Sequence, residues 1–202
     1  MSFKNKDVNV LTKETLYKGF FECNRYSFTH PLFDGGTSDI VKREVFERGH
    51  AVAVLPYDPI LDELVLLEQF RFPAMETTQS AWLIEVVAGI IDPGETPEEV
   101  CYREAQEEAG INISNLTKIS SYLTTPGACT ERIELYIAQV DAKTAKGIHG
   151  LDNEAEDIKV LRVPLAQTEE WLNNGRIDNS TAIIALQWLL LNKEKLKASW
   201  NN

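Results

Sequence analysis

A chain of 202 residues, 44% hydrophobic and 25% charged, suits one generous domain or one domain with a small attachment, and can bury a core without cross-links. Its 31 acidic residues against 20 basic ones give a net charge of −11, which excludes the basic footprint that a nucleic-acid or anionic-membrane surface needs. Cys23, Cys101 and Cys129 are odd in number and far apart, and the opening MSFKNKDVNVLTK has no apolar signal core, so a cytoplasmic protein with no membrane span is expected.

Residues 1–48 read as a small N-terminal antiparallel β domain. Tyr17–Phe21, Arg25–Thr29 and Asp39–Phe46 are strand-like runs, with Phe33-Asp34-Gly35-Gly36 as a turn between the last two. Residues 49–202 read as the main domain. Ala51–Leu55 and Leu64–Phe70, separated by Tyr57-Asp58-Pro59, predict a buried hairpin. Trp82–Val87 predicts another strand, followed by a loop carrying Gly89, Asp92, Pro93 and Gly94. A helix follows, with Thr96 and Glu99 as reciprocal caps, Pro97 at its first position and Gly110 at its end. Strands are expected at Lys118–Thr124, Ile133–Gln139 and Ile158–Pro164, then helices at Ala166–Asn174 and Asn179–Ala198 on either side of Gly175.

On the Thr96–Gly110 helix, Glu104, Glu107 and Glu108 stand at i, i+3 and i+4, so at about 100° per residue they share one face. The like-charged pair Glu104/Glu108 costs roughly 0.2–0.5 kcal/mol on an isolated helix unless a positive charge sits beside it. A divalent cation such as Mg2+, which prefers carboxylates, waters and phosphate oxygens, would supply that charge. Arg103, four residues before Glu107, can hold that carboxylate, while Cys101, Ala105 and Ala109 form a small apolar face suited to a sheet. On composition alone a solvated acidic face is the commoner arrangement. The carboxylates, however, belong to a longer spaced pattern that includes Gly89 and Glu95. None of His30, His50 and His149 has metal-ligand spacing, and none is assigned to metal.

Gly89-Ile90-Ile91-Asp92-Pro93-Gly94-Glu95 followed by Arg103-Glu104-Ala105-Gln106-Glu107-Glu108-Ala109-Gly110-Ile111 resembles the Nudix box of the Nudix hydrolases, departing only at Ala105, where a bulky aliphatic residue is usual. The resemblance implies an α/β/α sandwich, dependence on Mg2+ or Mn2+ with two or three ions per site, and hydrolysis of a nucleoside diphosphate linked to another moiety. It implies that Glu104 and Glu108, with the backbone carbonyl of Ala88, hold the inner metal, and that Glu107 shares a further ion. Pro126, sixteen residues past Gly110, and the loop Thr125–Arg132 resemble the ADP-ribose pyrophosphatase subgroup, with Ala128 where a second glycine is common.

That likeness extends along nearly the whole chain. It implies that Phe20 stacks on adenine and that Arg43 and Arg71 bind substrate. It implies further that the loop residues Pro126, Gly127 and Glu131 line the substrate and that the N-terminal sheets exchange across a homodimer. It places the catalytic base at Glu154, in the acidic loop 152–157, with Glu156 as the alternative. The implied reaction converts ADP-ribose to AMP and ribose 5-phosphate. Its competitors are cleavage of another nucleotide sugar such as GDP-mannose, and a regulator that binds ADP-ribose without cleaving it.

Overall fold

The computed structural model describes residues 3–200; residues 1–2 and 201–202, at the outer ends of the two expected domains, lie outside the described residues. The chain divides into two compact units. Residues up to His50, together with Leu123–Arg132, make the first, and Ala51–Tyr122 with the chain from Ile133 onward make the second.

The first unit is an antiparallel sheet of β1 (Asn9–Lys18), β2 (Glu22–Thr29) and β3 (Val41–Glu47), in that order. The first strand begins earlier than its expected range of Tyr17–Phe21. Lys18 ends it, and Gly19-Phe20-Phe21 is the connection to β2, closed by the Gly19 N–H on the Phe21 carbonyl at 2.9 Å. The Tyr17 hydroxyl lies 2.2 Å from where a Cβ on residue 19 would sit, so a larger residue there would have to displace that side chain. Leu123–Arg132 joins this unit through β3: the Phe46 N–H donates to the Ala128 carbonyl at 2.7 Å and the Thr130 N–H to the Phe46 carbonyl at 3.3 Å.

The second unit is built on an eight-stranded mixed sheet. Its strands are β4 (Ala51–Asp58), β5 (Glu63–Phe70), β6 (Trp82–Glu85), β7 (Val87–Ile90), β8 (Ser114–Leu123), β9 (Arg132–Gln139), β10 (Ile148–His149) and β11 (Ile158–Pro164). Every residue of β4 is buried, and its side chains alternate between two cores. Val52 and Val54, with Val65 and Leu67 of β5, meet α1 (Pro97–Ala109) through Val100, Cys101, Ala105 and Ala109. Ala53, Leu55 and Tyr57, with Leu64 and Leu66, meet α2 (Leu165–Asn173) and α3 (Ser180–Trp200) through Leu165, Ala182, Ala185 and Leu186. Each fully buried leucine or valine of these cores contributes about 1.5–3 kcal/mol. Helices on both faces of one sheet are the α/β/α sandwich.

Two expectations about strands are corrected. The β4–β5 hairpin pairs only at Tyr57↔Leu64 and Asp58↔Glu63, after which the strands diverge. The run expected as one strand, Trp82–Val87, fills the gap as two: β6 pairs with β5 (Leu67↔Glu85), and after a break at Val86, β7 pairs with β4 (Val54↔Val87). The hairpin turn is held by the buried Asp58 carboxylate, which accepts the Ile60, Leu61 and Ala142 N–H groups at 2.9, 3.0 and 3.0 Å.

Candidate active site

Helix α1 is placed by its ends. The Thr96 hydroxyl accepts the Glu99 N–H at 3.3 Å, the Glu99 carboxylate accepts the Thr96 N–H at 2.9 Å, and Gly110 takes the left-handed conformation at φ 62°. Its small face, Cys101, Ala105 and Ala109, lies flat on the sheet, and burial pushes the Cys101 thiol up to about 12, as suits a packing residue. The acidic face is thereby brought against the end of β7.

Glu108 is only 3% exposed, and its carboxylate accepts the Ala88 N–H at 2.9 Å. Burial drives its pKa well above the ordinary carboxylate range; the Ala88 hydrogen bond pulls it back, and the Glu104 and Glu156 charges push it further up. Burial likewise raises Glu104 to about 7, against the pull of Arg103 and with the repulsion of Glu107 and Glu156. A Cβ on Gly89 would lie 1.7 Å from Glu104 Oε1, so the glycine lets this carboxylate sit against the strand where any other residue would displace it.

Arg103 is the hub of the helix face. Its Nη1 donates to Glu104 Oε1 at 2.7 Å and to Glu107 Oε2 at 3.0 Å, while Nε and Nη2 grip the two oxygens of Glu95 at 3.0 and 3.2 Å. Glu95 in turn accepts the Asp92 N–H at 3.0 Å, tying the loop before the helix to the helix itself. Among the described residues, no three His, Cys, Asp or Glu side chains form a ready cage for an ion. The Glu104 and Glu107 oxygens are turned onto Arg103.

The donor set nevertheless fits a hard divalent cation. Two carboxylates one helical turn apart, buried beside a third and a fourth, carry more negative charge than one arginine offsets. Mg2+ needs only one or two such groups beside water and phosphate oxygens.

The acidic loop docks on the same helix through the Gly150 N–H, which donates to the Glu107 carbonyl at 3.2 Å. Glu156 folds back to accept the Leu151 N–H at 3.2 Å, and its charge is felt by both Glu104 and Glu108. Glu154 is exposed, in the single turn Asp152–Glu154. Arg71, at the end of β5, meets a residue that the sequence reading passed over. Its Nε donates to Glu85 Oε2 at 2.9 Å, and its Nη2 lies 2.9 Å from the same oxygen. A carboxylate inside the apolar run Trp82–Val87 was the available signal.

The remaining expected residues sit in the first unit. Phe20 is 87% exposed and meets Phe21 edge-on at 4.7 Å. Arg43 is exposed on β3, with Nη1 on the Lys42 carbonyl at 2.8 Å. Pro126 and Gly127 form a turn closed by the Ala128 N–H on the Thr125 carbonyl at 3.0 Å. Ala128 is not among the described residues with positive φ, so the loop accepts alanine without strain. Glu131 is 7% exposed and pairs with Arg48 Nε at 3.1 Å, and the Arg48 guanidinium lies over the Phe21 ring at 5.4 Å.

The NUDIX domain model matches residues 47–184, spanning the box loop, α1 and the acidic loop. This chain belongs to the Nudix family. As a Nudix hydrolase it is 48% identical over 200 residues to the ADP-ribose pyrophosphatase of Escherichia coli (strain K12), covering 99% of this chain and 96% of that protein. It is 47% identical over 201 residues to the ADP-ribose pyrophosphatase of Haemophilus influenzae, covering 98% and 93%. It is 33% identical over 189 residues to the GDP-mannose pyrophosphatase of Cronobacter sakazakii, covering 92% and 96%. Among solved structures it is similar to one described as an ADP compounds hydrolase, with a TM-score of 0.71 at 22% identity and 98% coverage of both chains. The Nudix box thus lies inside the matched domain, and divalent-metal dependence belongs to the family. No described helix is long and apolar enough to cross a membrane.

Proposed function

We propose that this Nudix hydrolase cleaves the pyrophosphate of ADP-ribose, giving AMP and ribose 5-phosphate. The observation that carries the reading is near-full-length likeness, 48% to an ADP-ribose pyrophosphatase against 33% to a GDP-mannose pyrophosphatase, in a chain with every box carboxylate in place. Glu104, Glu108 and the Ala88 carbonyl would hold Mg2+, or Mn2+, with Glu107 sharing a second or third ion. When bound, the cation would polarise the phosphate groups and offset the charge that develops on them.

The protein's own groups do the rest. Arg103 keeps Glu104 and Glu107 aimed together, and Arg71 and Arg43 grip phosphate oxygens by their guanidinium forks. Phe20, presented with a bare ring face, stacks on adenine, while Pro126, Gly127 and Glu131 shape the substrate loop. Glu154 takes the proton from the attacking water. Its exposure, and the glycines at 147 and 150 with φ 95° and 106°, support a loop able to bring it in. A second reading gives that role to Glu156, supported by the reach of its charge to Glu104 and Glu108.

The N-terminal sheet, here the dimerisation and substrate-binding domain of residues 1–48, would be exchanged across a homodimer. Supporting this, all of β1 is exposed, with Val10, Leu11, Leu16 and Tyr17 among its large apolar side chains. A concentration-independent monomer by light scattering would remove the exchange. The three free thiols support a cytoplasmic setting.

A substrate panel with Mg2+ tests the whole reading. The highest kcat/KM is expected for ADP-ribose; a higher value for GDP-mannose replaces the substrate, and tight binding without turnover at any divalent metal replaces the enzyme with a binding protein.

A further inference from the structure

We propose that Glu85 is the positioning residue for Arg71, an inference that rests on reading Arg71 as a group that grips the substrate's pyrophosphate. Arg71 closes β5, and its backbone is tied on both sides: its N–H donates to the Ala81 carbonyl at 2.8 Å, and its carbonyl accepts the Ala74 N–H at 2.9 Å. The side chain is then held by one oxygen of Glu85, 2.9 Å from both Nε and Nη2. That contact uses one edge of the guanidinium and leaves the Nη1 donors outside it.

Glu85 stands opposite Leu67 in the β5–β6 register, and Leu67 belongs to the core that α1 covers. The pair therefore shares a face of the sheet with Glu104 and Glu108, and the Arg71 charge is felt by Glu108. Burial raises the pKa of Glu85, and the Arg71 charge and hydrogen bond beside it pull it back down. A long arginine left alone samples many rotamers; one already clamped at its Nε edge loses less freedom when a phosphate oxygen arrives. Glu85 touches no substrate in this scheme and acts only through Arg71.

The test is steady-state kinetics on ADP-ribose with Mg2+ for Glu85→Gln, Arg71→Gln and the double variant, with thermal melting of each. Glu85→Gln is expected to raise KM by about tenfold with a much smaller change in kcat, and the double variant to be no worse than Arg71→Gln alone. Guanidinium ion is expected to rescue Arg71→Ala only while Glu85 is present. Wild-type KM in Glu85→Gln, multiplicative losses in the double variant, or rescue independent of Glu85 would each overturn the proposal. Wild-type KM in Arg71→Gln instead overturns the role of Arg71 itself. Should Glu85→Gln fail to fold, Glu85→Asp, which keeps the charge but shortens its reach, is expected to show the same rise in KM, and unchanged KM there also overturns the proposal.

Discussion

The Glu108 carboxylate accepts the Ala88 N–H at 2.9 Å, coupling the acidic helix to the strand whose carbonyl would share its metal. Glutamine can still accept that hydrogen bond but brings no negative charge. Glu108→Gln is therefore expected to lower kcat by about a thousandfold while the protein stays folded. Melting with and without Mg2+ checks the cause. The wild-type melting temperature should rise with Mg2+ and that of the variant should not, because a cation bound only to the native state stabilises it.

Gly89 and Gly94 separate two reasons for glycine. A Cβ at residue 89 would lie 1.7 Å from Glu104 Oε1, whereas a Cβ at residue 94 meets nothing within 4 Å but sits at φ 98°. Gly89→Ala should swing the flexible Glu104 side chain aside, cutting activity by about 10- to 100-fold with little change in melting temperature. Gly94→Ala should cost about 1 kcal/mol of stability and leave most activity. The reverse pattern, read by kinetics and denaturant melts, would contradict the geometry.

Glu154 and Glu156 differ in how they are held, one exposed and the other bonded to the Leu151 N–H. If Glu154 is the base, Glu154→Gln loses about 100-fold or more in kcat, with Mg2+ binding retained. Glu156→Gln then causes a smaller loss by loosening the loop. A fully active Glu154→Gln beside an inactive Glu156→Gln would transfer the role.

Asp58 supplies a pH-dependent part of stability. Burial raises its pKa, but the N–H groups of Leu61, Ala142 and Ile60 outweigh that and leave the carboxyl below its ordinary value of 3.8. A lowered folded-state value means that its contribution is present above about pH 4. It is lost as pH falls through the folded-state value. Asp58→Asn should cost about 2–3 kcal/mol at pH 7, since its amide cannot accept every N–H that the carboxylate does. The gap from wild type in denaturant melts should narrow as the pH is taken below 4.

The box and its helix were legible because their information is local. A capping pair three residues apart, a terminal glycine and carboxylates at helical spacing need only the 3.6-residue period to define a face. The sandwich was expected from the resemblance that the box carries, not from the strand and helix pattern. The strand errors at residues 17–21 and 82–87 have another origin: Gly19–Phe21 closes into the connection to β2, and at Val86 the chain passes from pairing with β5 to pairing with β4.

By itself, then, the sequence determined the box helix, the family and the kind of chemistry, since each is written in residues a few positions apart. Only the tertiary structure decided that Leu123–Arg132 packs with the N-terminal sheet, that Glu85 clamps Arg71, and that Glu156 lies within electrostatic reach of the box. Those relations join residues distant along the chain, and pairing across a sheet is selected by the packing of the whole core rather than by any local preference.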